Sequence, residues 1–234
     1  MMTGLVEVVG ELLDSVELSR VGDRASLDEV ALFRYRCYRH SDMVDWRRDQ
    51  RLIDEGEETQ NAFVFAMHLR GILVGTFRIH FVETQQDFSQ ARDEYPDVIQ
   101  PLLAKGETYL EPTRLAIEPA IRAEYPQMKL IFMATFAALA GLLKPRYVFF
   151  VVRREHVPFY SRGFGFQQVK APQAYHGIKQ PLALMGGDYL AGIDAATKAL
   201  PYLEIAARLQ GFIKRDFADL PAIGRLREAD LQVA

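Results

Sequence analysis

Two charged residues lie three positions apart in an otherwise strand-like segment, and they are the first candidates for chemistry. Glu111 and Arg114 belong to the run GETYLEPTRLAIEP at 106–119. A carboxylate can take a proton from a nucleophile, directly or through water, and partial burial would raise the pKa of Glu111 and make it a better base. Side chains three apart on a strand point to opposite faces, so we expect one in a substrate cleft and the other as an anchor. The alternative is a Glu–Arg pair on ordinary sheet surface.

A third charged residue, Arg78, interrupts the apolar strand VGTFRIHF at 74–81. A buried guanidinium without a partner is very unfavourable. We therefore expect Arg78 to pair with Glu111 on a neighbouring strand, or with the carboxylate of an amino-acid acceptor, which its planar fork can bind through two hydrogen bonds. The alternative is a single exposed position on the polar face of an alternating strand.

The hydrophobic pattern predicts the elements that hold these residues. Strand-like alternation or continuous apolar runs occur at 61–69, 72–82, 108–117, 147–152, 166–170 and 181–186, with a tight turn at Arg70-Gly71 between the first two. Helical spacing occurs at 5–18, from 27 onward, at 126–143, near 155–163 and again after Asp188. This order predicts an α/β protein with a mixed, mostly antiparallel sheet flanked by helices.

The same pattern predicts the domain organisation. We expect one domain over 1–187, which begins with a helical segment at 1–25, and a C-terminal helical extension over 188–234 that packs on it. The helix at 126–143 is apolar around its whole circumference, more than one sheet face requires. Part of this surface is therefore expected to line an apolar tunnel, with Ala134 and Ala138 at inward positions.

Composition excludes several classes of protein. A hydrophobic fraction of 49% and a charged fraction of 25% are typical of a chain that builds a full core, and a net charge of −3 does not favour nucleic-acid binding. The single cysteine, Cys37, excludes an internal disulfide framework and favours the cytoplasm. No apolar run approaches the roughly 20 residues that span a bilayer, and the acidic N-terminus does not predict a signal peptide. The histidines show no metal-ligand spacing, so we expect no metal.

The order of elements and the segment RREHVPFYSRGFGFQQV at 153–169 resemble the GNAT acyltransferase fold. Within that fold, the chain resembles the branch of acyl-homoserine-lactone autoinducer synthases and long-chain N-acyl amino acid synthases. Three segments carry this resemblance: FRYRCYR at 33–39, the Gly-x-x-Arg within 74–81 and the Glu-x-x-Arg of EPTRLAI at 111–117. It covers about residues 27–186 and implies transfer of an acyl group from a thioester to an amine.

The resemblance also implies site residues. It assigns Glu111, Arg114 and Arg78 to the catalytic region, and Tyr160 resembles the tyrosine that protonates the departing thiolate, although it precedes Gly165 by five residues rather than four. Candidates for substrate binding are Arg36, Tyr38, Asp54 and Trp46. Solvated loop positions are the alternative for Asp54, a core or loop anchor for Trp46, and packing against YVFFVV for Tyr160.

The donor is expected to be an acyl carrier protein. The stretch AIRAEYPQMK has no glycine, and Pro126 removes one N–H donor, so it forms a poor nest for a CoA pyrophosphate. Residues 144–170 hold six basic residues against the single acid Glu155. Carrier proteins are acidic, so Arg153, Arg154 and Arg162 are candidates for their docking. A divergent CoA enzyme with a remodelled loop is the alternative.

Three functions follow from the sequence. The first is an N-acyltransferase that uses an acyl-phosphopantetheine thioester as co-substrate, without a bound cofactor. The second is an acyl-homoserine-lactone synthase or a CoA-dependent acetyltransferase, although no motif for the adenosine of S-adenosylmethionine is present. The third is a silent binding module of the same fold, against which the retained charged set argues.

Overall fold

A seven-stranded sheet in the order β1-β2-β3-β4-β5-β7-β6 positions the charged residues in a computed structural model, which describes residues 15–192. The strands are β1 (Val16–Arg20), β2 (Ala62–Leu69), β3 (Ile72–Val82), β4 (Tyr109–Ile117), β5 (Tyr147–Arg153), β6 (Gln167–Tyr175) and β7 (Ile178–Asp188). The helices are α1 (Arg24–His40), α2 (Gln90–Glu94), α3 (Pro96–Leu103), α4 (Pro119–Glu124), α5 (Met128–Leu143) and α6 (Val157–Phe164). Residues 5–14 of the helix predicted at 5–18, and residues 193–234 of the extension predicted at 188–234, lie outside the described residues.

Strand β2 shows why the sheet carries helices on both faces. Its residues Phe63 and Phe65 pack into the core cluster that contains α5, whereas Val64 and Ala66 pack against α1. This is the period-two alternation of a strand that is buried on both sides. The predicted hairpin of β2 and β3 is confirmed, and its turn at 70–71 has positive φ at both positions, 54° and 77°, as the right-handed twist of a two-residue hairpin requires.

Two predictions near the N-terminus were wrong. Helical spacing predicted a helix up to residue 18, but Val16–Arg20 is a strand that pairs antiparallel with β2. Its two buried residues, Val16 and Leu18, follow the period of a strand and join the main core. The helix predicted from residue 27 onward exists as α1, but it begins earlier, at Arg24, because the Asp23 carboxylate caps it and accepts a hydrogen bond of 3.0 Å from the Ser26 amide.

A cleft opens between β4 and β5. The two strands run parallel and pair only at Tyr109–Tyr147 and Leu110–Val148, although β4 continues to Ile117 and β5 to Arg153. Beyond these pairs, side chains of both strands line a cavity of about 520 Å³. Residues of α5 line the same cavity at the positions of one helical face, namely Lys129, Phe132, Met133 and Phe136.

The expected inward positions of α5 were wrong. Ala134 and Ala138 are fully buried, but neither lines the cleft. The helix is apolar around its circumference because one side packs on the sheet while the neighbouring side faces the cleft. Periodicity cannot separate these two sides, since both are apolar.

The connection between α1 and β2 comes close to the sheet at Gly56. A Cβ atom at this position would lie 2.3 Å from Cε1 of Phe88. The Phe88 ring is held in turn by the His80 ring, 4.9 Å away between centroids, and by the Arg78 guanidinium, 5.5 Å from the ring centre. Only glycine therefore allows this loop to lie against β3.

We predict that Gly56→Ala lowers the free energy of unfolding by about 1–3 kcal/mol, because the added methyl group overpacks this contact. Chemical denaturation measures the change. Gly22→Ala is the matched control, since nothing lies within 4 Å of a Cβ at Gly22. Equal stability of the two variants would contradict the close approach.

Candidate active site

A buried network of opposite charges joins the loop before β2 to the sheet. The Arg34 guanidinium donates to Glu57 at 2.7 Å, and the Arg78 guanidinium donates to the same Glu57 oxygen at 2.8 Å. Arg78 also donates to Asp54 at 2.5 Å, and Arg114 donates to the other oxygen of Asp54. Arg34 and Arg78 are at most 1% exposed. Each carboxylate therefore bridges two guanidinium groups.

The network carries an excess of positive charge. Three guanidinium groups face two carboxylates, Asp54 and Glu57. Burial alone would raise the pKa of Asp54, but the charges and hydrogen bonds of Arg78 and Arg114 outweigh it and hold that pKa well below its usual range. Within the described residues, Nε of Arg114 is buried without a hydrogen-bond partner. The network can therefore accept a further anionic group.

A β-bulge places Arg114 on the same face as Glu111. Arg78 on β3 pairs with Thr113 and Thr76 pairs with Ala116, so β4 holds one extra residue in this interval. Arg114 has a φ of 56°, the left-handed conformation that such a bulge allows. The prediction that the two side chains point to opposite faces was therefore wrong, because it assumed regular alternation.

Glu111 is not a member of the network and has its own hydrogen-bond partners. It is 1% exposed, and its carboxylate accepts hydrogen bonds from the Ser89 hydroxyl at 2.7 Å and the Ala91 amide at 2.9 Å. Burial raises the pKa of Glu111 to about 7, against the opposing effect of these two hydrogen bonds. The expected pair of Arg78 and Glu111 is not formed, since the Arg78 side chain donates to Asp54, Glu57 and Thr113. A carboxyl with this pKa is suited to accept a proton near neutral pH.

Several predicted residues line the cleft. They include Tyr38, Arg114, Arg153 and Tyr160. The Tyr160 ring packs 4.7 Å from the Phe150 ring, and burial raises the pKa of Tyr160 to about 12. It therefore remains protonated at neutral pH, as a proton donor must.

Other predicted residues lie elsewhere. Arg36 is exposed with its guanidinium 5.8 Å from the Phe33 ring centre, and Trp46 is 67% exposed and lines neither cavity. Arg154 and Arg162 are exposed. The arginine that α1 contributes to the network is Arg34 and not Arg36. The two residues are about 200° apart around the helix, so only one of them can face the sheet.

The sequence analysis missed four residues that complete the site, namely Arg34, Glu57, His80 and Ser89. Arg34 continues the buried stripe of Leu27, Val30 and Ala31 on α1, which is a signal that could have found it. Glu57 lies among other acids in a segment without periodicity. His80 is fully buried with Nε2 2.9 Å from the Gly56 carbonyl oxygen, and burial lowers its pKa to about 3, so it stays neutral.

A second cavity of about 460 Å³ adjoins the cleft. The two share the residues Gln90, Arg114 and Ile178 in their walls. The remaining residues that line the second cavity come from the loop after α1 and from the β6–β7 hairpin. The charged residues among them are Asp45, Arg47, Asp54 and Lys179. The site thus combines a long apolar cleft with a smaller polar chamber, and they meet at Arg114.

Comparison with solved structures identifies the class of protein. FeeM, an N-acyl amino acid synthase from uncultured soil microbes, matches with a TM-score of 0.61 at 16% identity, covering 81% of this chain and 97% of FeeM. The AHL synthase LasI matches with a TM-score of 0.56 at 15% identity, over 79% and 95% of the two chains. BjaI, a CoA-dependent acyl-homoserine lactone synthase solved with SAM and isopentyl-CoA, gives 0.52 at 15% identity, over 83% and 98%. The fold is that of the GNAT-type acyltransferases in the autoinducer-synthase branch.

The family follows from the sequence itself. Residues 29–188 match the model of the family described as N-acyl amino acid synthase FeeM, and the chain belongs to this family. A search of curated proteins finds no match. The family and the fold define an acyltransferase and confirm the resemblance noted above. Among residues 15–192, no helix has the length and apolar character to cross a bilayer.

We predict that Glu111→Gln is more stable than the wild type above pH 7, by up to roughly 3 kcal/mol, and that the difference narrows toward pH 5. The pKa of Glu111 is about 7 in the folded protein against an ordinary value of 4.5. The unfolded chain therefore loses the Glu111 proton at a lower pH than the folded protein does. The stability that the protonated carboxyl contributes is fully present below pH 4.5 and is lost as the pH rises to about 7. Urea denaturation from pH 5 to 8 measures it.

The matched control is Glu55→Gln, which removes an exposed carboxyl from the neighbouring loop. A stability difference between Glu111→Gln and the wild type that does not change with pH would contradict the raised pKa.

Proposed function

We propose that this protein is an N-acyltransferase that moves a long-chain acyl group from an acyl-carrier-protein thioester to the amine of an amino acid or a related small molecule. The observation that carries the proposal is the meeting of two cavities at Arg114, beside a buried carboxyl with a pKa near 7. The apolar cleft suits the acyl chain, and the polar chamber suits the acceptor. Glu111 is the base that the reaction needs.

The wall of the cleft supports a long acyl chain. Both strands, α5 and the connection between α6 and β6 contribute large apolar side chains to it, including Leu115, Phe132, Met133, Phe136, Phe150 and Phe166. Each CH₂ group transferred from water to such surroundings is worth about 0.8 kcal/mol. A chain of many carbons therefore gains binding energy along the whole cleft, whereas an acetyl group would leave most of it unused.

The rim of the cleft supports a carrier protein as donor. Arg122, Lys129 and Arg153 line the cavity, and the adjoining Arg154 is exposed. An acidic carrier protein that brings its phosphopantetheine arm to this cleft would meet these positive charges first. The proposed docking surface comprises Arg153, Arg154 and Arg162.

The chamber supports an acceptor that carries a carboxylate. Arg114 lines it with an unpartnered, buried Nε, and the network to which it belongs has one more cation than anions. Arg47 is also in the wall. A carboxylate bound here would balance the charge and would hold the amine of the same molecule near the junction with the cleft.

The proposed reaction is a direct displacement. The acceptor nitrogen forms a bond to the thioester carbonyl carbon, and its proton passes to Glu111. The carbon–sulfur bond then breaks, the sulfur leaves with the electron pair, and the Tyr160 hydroxyl can supply the proton that converts the thiolate to a thiol. The products are an N-acyl amide and a free phosphopantetheine thiol.

The central test is incubation of the purified protein with long-chain acyl-carrier protein and a pool of amino acids, followed by mass spectrometry of the products. N-acyl amino acids are the expected result. Parallel reactions with acyl-CoA and with S-adenosylmethionine distinguish the other functions: transfer only from CoA would overturn the carrier-protein donor, and an acyl-homoserine lactone would overturn the amino-acid acceptor. Absence of transfer in every reaction would overturn the proposed activity.

We predict that Glu111→Gln lowers turnover by roughly 10²–10⁴-fold, the usual worth of a general base. Steady-state kinetics with the best donor and acceptor measures this, and the stability data described above establish that the variant is folded. A folded variant with wild-type turnover would return Glu111 to a purely structural role.

We also predict that reversal of charge at Arg153, Arg154 and Arg162 lowers kcat/KM for the acyl-carrier protein by roughly ten- to a hundredfold, because rim charges steer association. Turnover of a small acyl-pantetheine thioester should stay the same. Lys105→Glu, an exposed site that lines neither cavity, is the control. Insensitivity to both the triple substitution and added salt would mean that the carrier docks elsewhere.

A further inference from the structure

The base in the proposed reaction is separated from the cleft. Glu111 is 1% exposed, and neither cavity has it in its wall. Its neighbours Pro112, Thr113 and Arg114 on β4 do line the cleft. A proton from an amine in the cleft therefore needs an intermediate group to reach the Glu111 carboxylate. The need for such a group rests on the proposed function.

Tyr175 has the features of such a group. It is the last residue of β6, it lines the cleft, and it is 6% exposed. Among the described residues, its buried hydroxyl has no hydrogen-bond partner. A buried polar group that is left unsatisfied costs about 1–3 kcal/mol, so a substrate or a water molecule in the cleft is its natural partner.

Two neighbouring tyrosines differ from Tyr175 because their hydroxyls form hydrogen bonds within the protein. Tyr95 and Tyr109 pack in the same apolar cluster as Tyr175. The Tyr95 hydroxyl donates to the Leu182 carbonyl at 3.2 Å, and the Tyr109 hydroxyl lies 2.5 Å from the Ser89 hydroxyl that donates to Glu111. Both of these hydroxyls are therefore occupied by the protein. Of the three tyrosines, Tyr175 lines the cleft, and its hydroxyl has no hydrogen-bond partner within the described residues.

The hairpin that carries Tyr175 is fixed on two sides. The His176 amide donates to the Glu94 carboxylate at 3.1 Å. Across the hairpin, the Lys179 amide donates to the Met43 carbonyl at 2.8 Å, and its ammonium group donates to Asp42 at 2.6 Å. Tyr175 also pairs with Ile178, which lines both cavities. The hairpin thus holds Tyr175 in the wall of the cleft, paired with a residue that lines both cavities.

The charges around Tyr175 favour a protonated phenol. Burial raises its pKa well above 10, and the neighbouring Glu111 adds to this effect, as do Glu94 and Tyr95, while Arg114 opposes it. A phenol in this state cannot act as a base by itself. It can receive a proton only while it gives up its own.

We propose that the Tyr175 hydroxyl relays the proton of the acceptor amine to Glu111. As the nitrogen bonds to the thioester carbonyl carbon, an N–H proton passes to the Tyr175 oxygen, and the Tyr175 proton passes across one water molecule to the Glu111 carboxylate, because no carboxylate oxygen lies within hydrogen-bond distance of the Tyr175 hydroxyl. Tyr175 ends the step as a neutral phenol, Glu111 ends it protonated, and the sulfur leaves with the electrons of the carbon–sulfur bond.

Tyr175→Phe tests the relay. We expect kcat to fall by roughly ten- to a thousandfold, with the KM values for donor and acceptor unchanged, and the rise of rate with an apparent pKa near 7 to disappear from the pH profile. The stability of the variant should be equal or higher, since no hydrogen bond of the protein is lost. The control is Tyr95→Phe, which breaks a buried hydrogen bond and should lower stability by about 1 kcal/mol without changing kcat.

A second measurement does not depend on turnover. The pKa of Glu111, followed by carbon NMR, should rise further in Tyr175→Phe, because the relay requires a water molecule between the Tyr175 hydroxyl and the carboxylate, and loss of this water-mediated donor disfavours the charged form of the carboxylate. The Tyr95→Phe variant should leave it unchanged.

The outcomes separate the relay from the proposed function. Wild-type kcat with a wild-type pH profile in Tyr175→Phe would overturn the relay, as would a rise in the acceptor KM alone or a Glu111 pKa equal to that of the wild type. If the wild type transfers no acyl group while Tyr175→Phe still raises the Glu111 pKa, the proposed function fails and the link between the two residues stands.

Discussion

The site depends on the bridging of guanidinium groups by two buried carboxylates. Arg78 lies at the centre, because it shares Glu57 with Arg34 and Asp54 with Arg114. Removal of one partner from a buried pair costs about 3–5 kcal/mol, since it leaves an uncompensated charge. The loop between α1 and β2, the helix α1 and the two central strands are therefore held together by a single network. A rigid wall for the chamber is the result.

The strand β4 serves both halves of the site. At its start it pairs with β5, and its bulge turns Arg114 toward Asp54. Past the paired positions, the same strand separates from β5 and lines the cleft. The carboxyl of Glu111, proposed to accept the proton, and the surface proposed for the acyl chain are consequently only a few residues apart on one backbone. In the proposed reaction, this strand would align the amine of the acceptor with the thioester of the donor.

Sequence analysis predicted most of the sheet, because the strands β2 to β5 are strongly apolar or alternating and are bounded by clear turns. It did not predict β1, where five residues fit a helical pattern as well as a strand. Within the site, it found Asp54, Arg78, Glu111 and Arg114. It predicted Arg36, whereas the arginine of α1 in the network is Arg34. The prediction followed the family resemblance and not the buried face of the helix. Glu57 and Ser89 were missed because their roles depend on contacts between distant segments, which no local pattern records.

The residues that line the chamber differ in their exposure to solvent. Asp54 and Arg114 line the chamber and belong to the buried network, where loss of one partner leaves an uncompensated charge. Arg47, His176 and Lys179, by contrast, lie on a loop and a hairpin tip and are exposed to solvent, where substitutions usually change stability little. Mutations at these positions can therefore accumulate without damage to the fold or to the proton-accepting carboxyl. Related proteins could diverge in the amines that they accept while they retain one chemistry, and the rim of the chamber is where such divergence would be recorded.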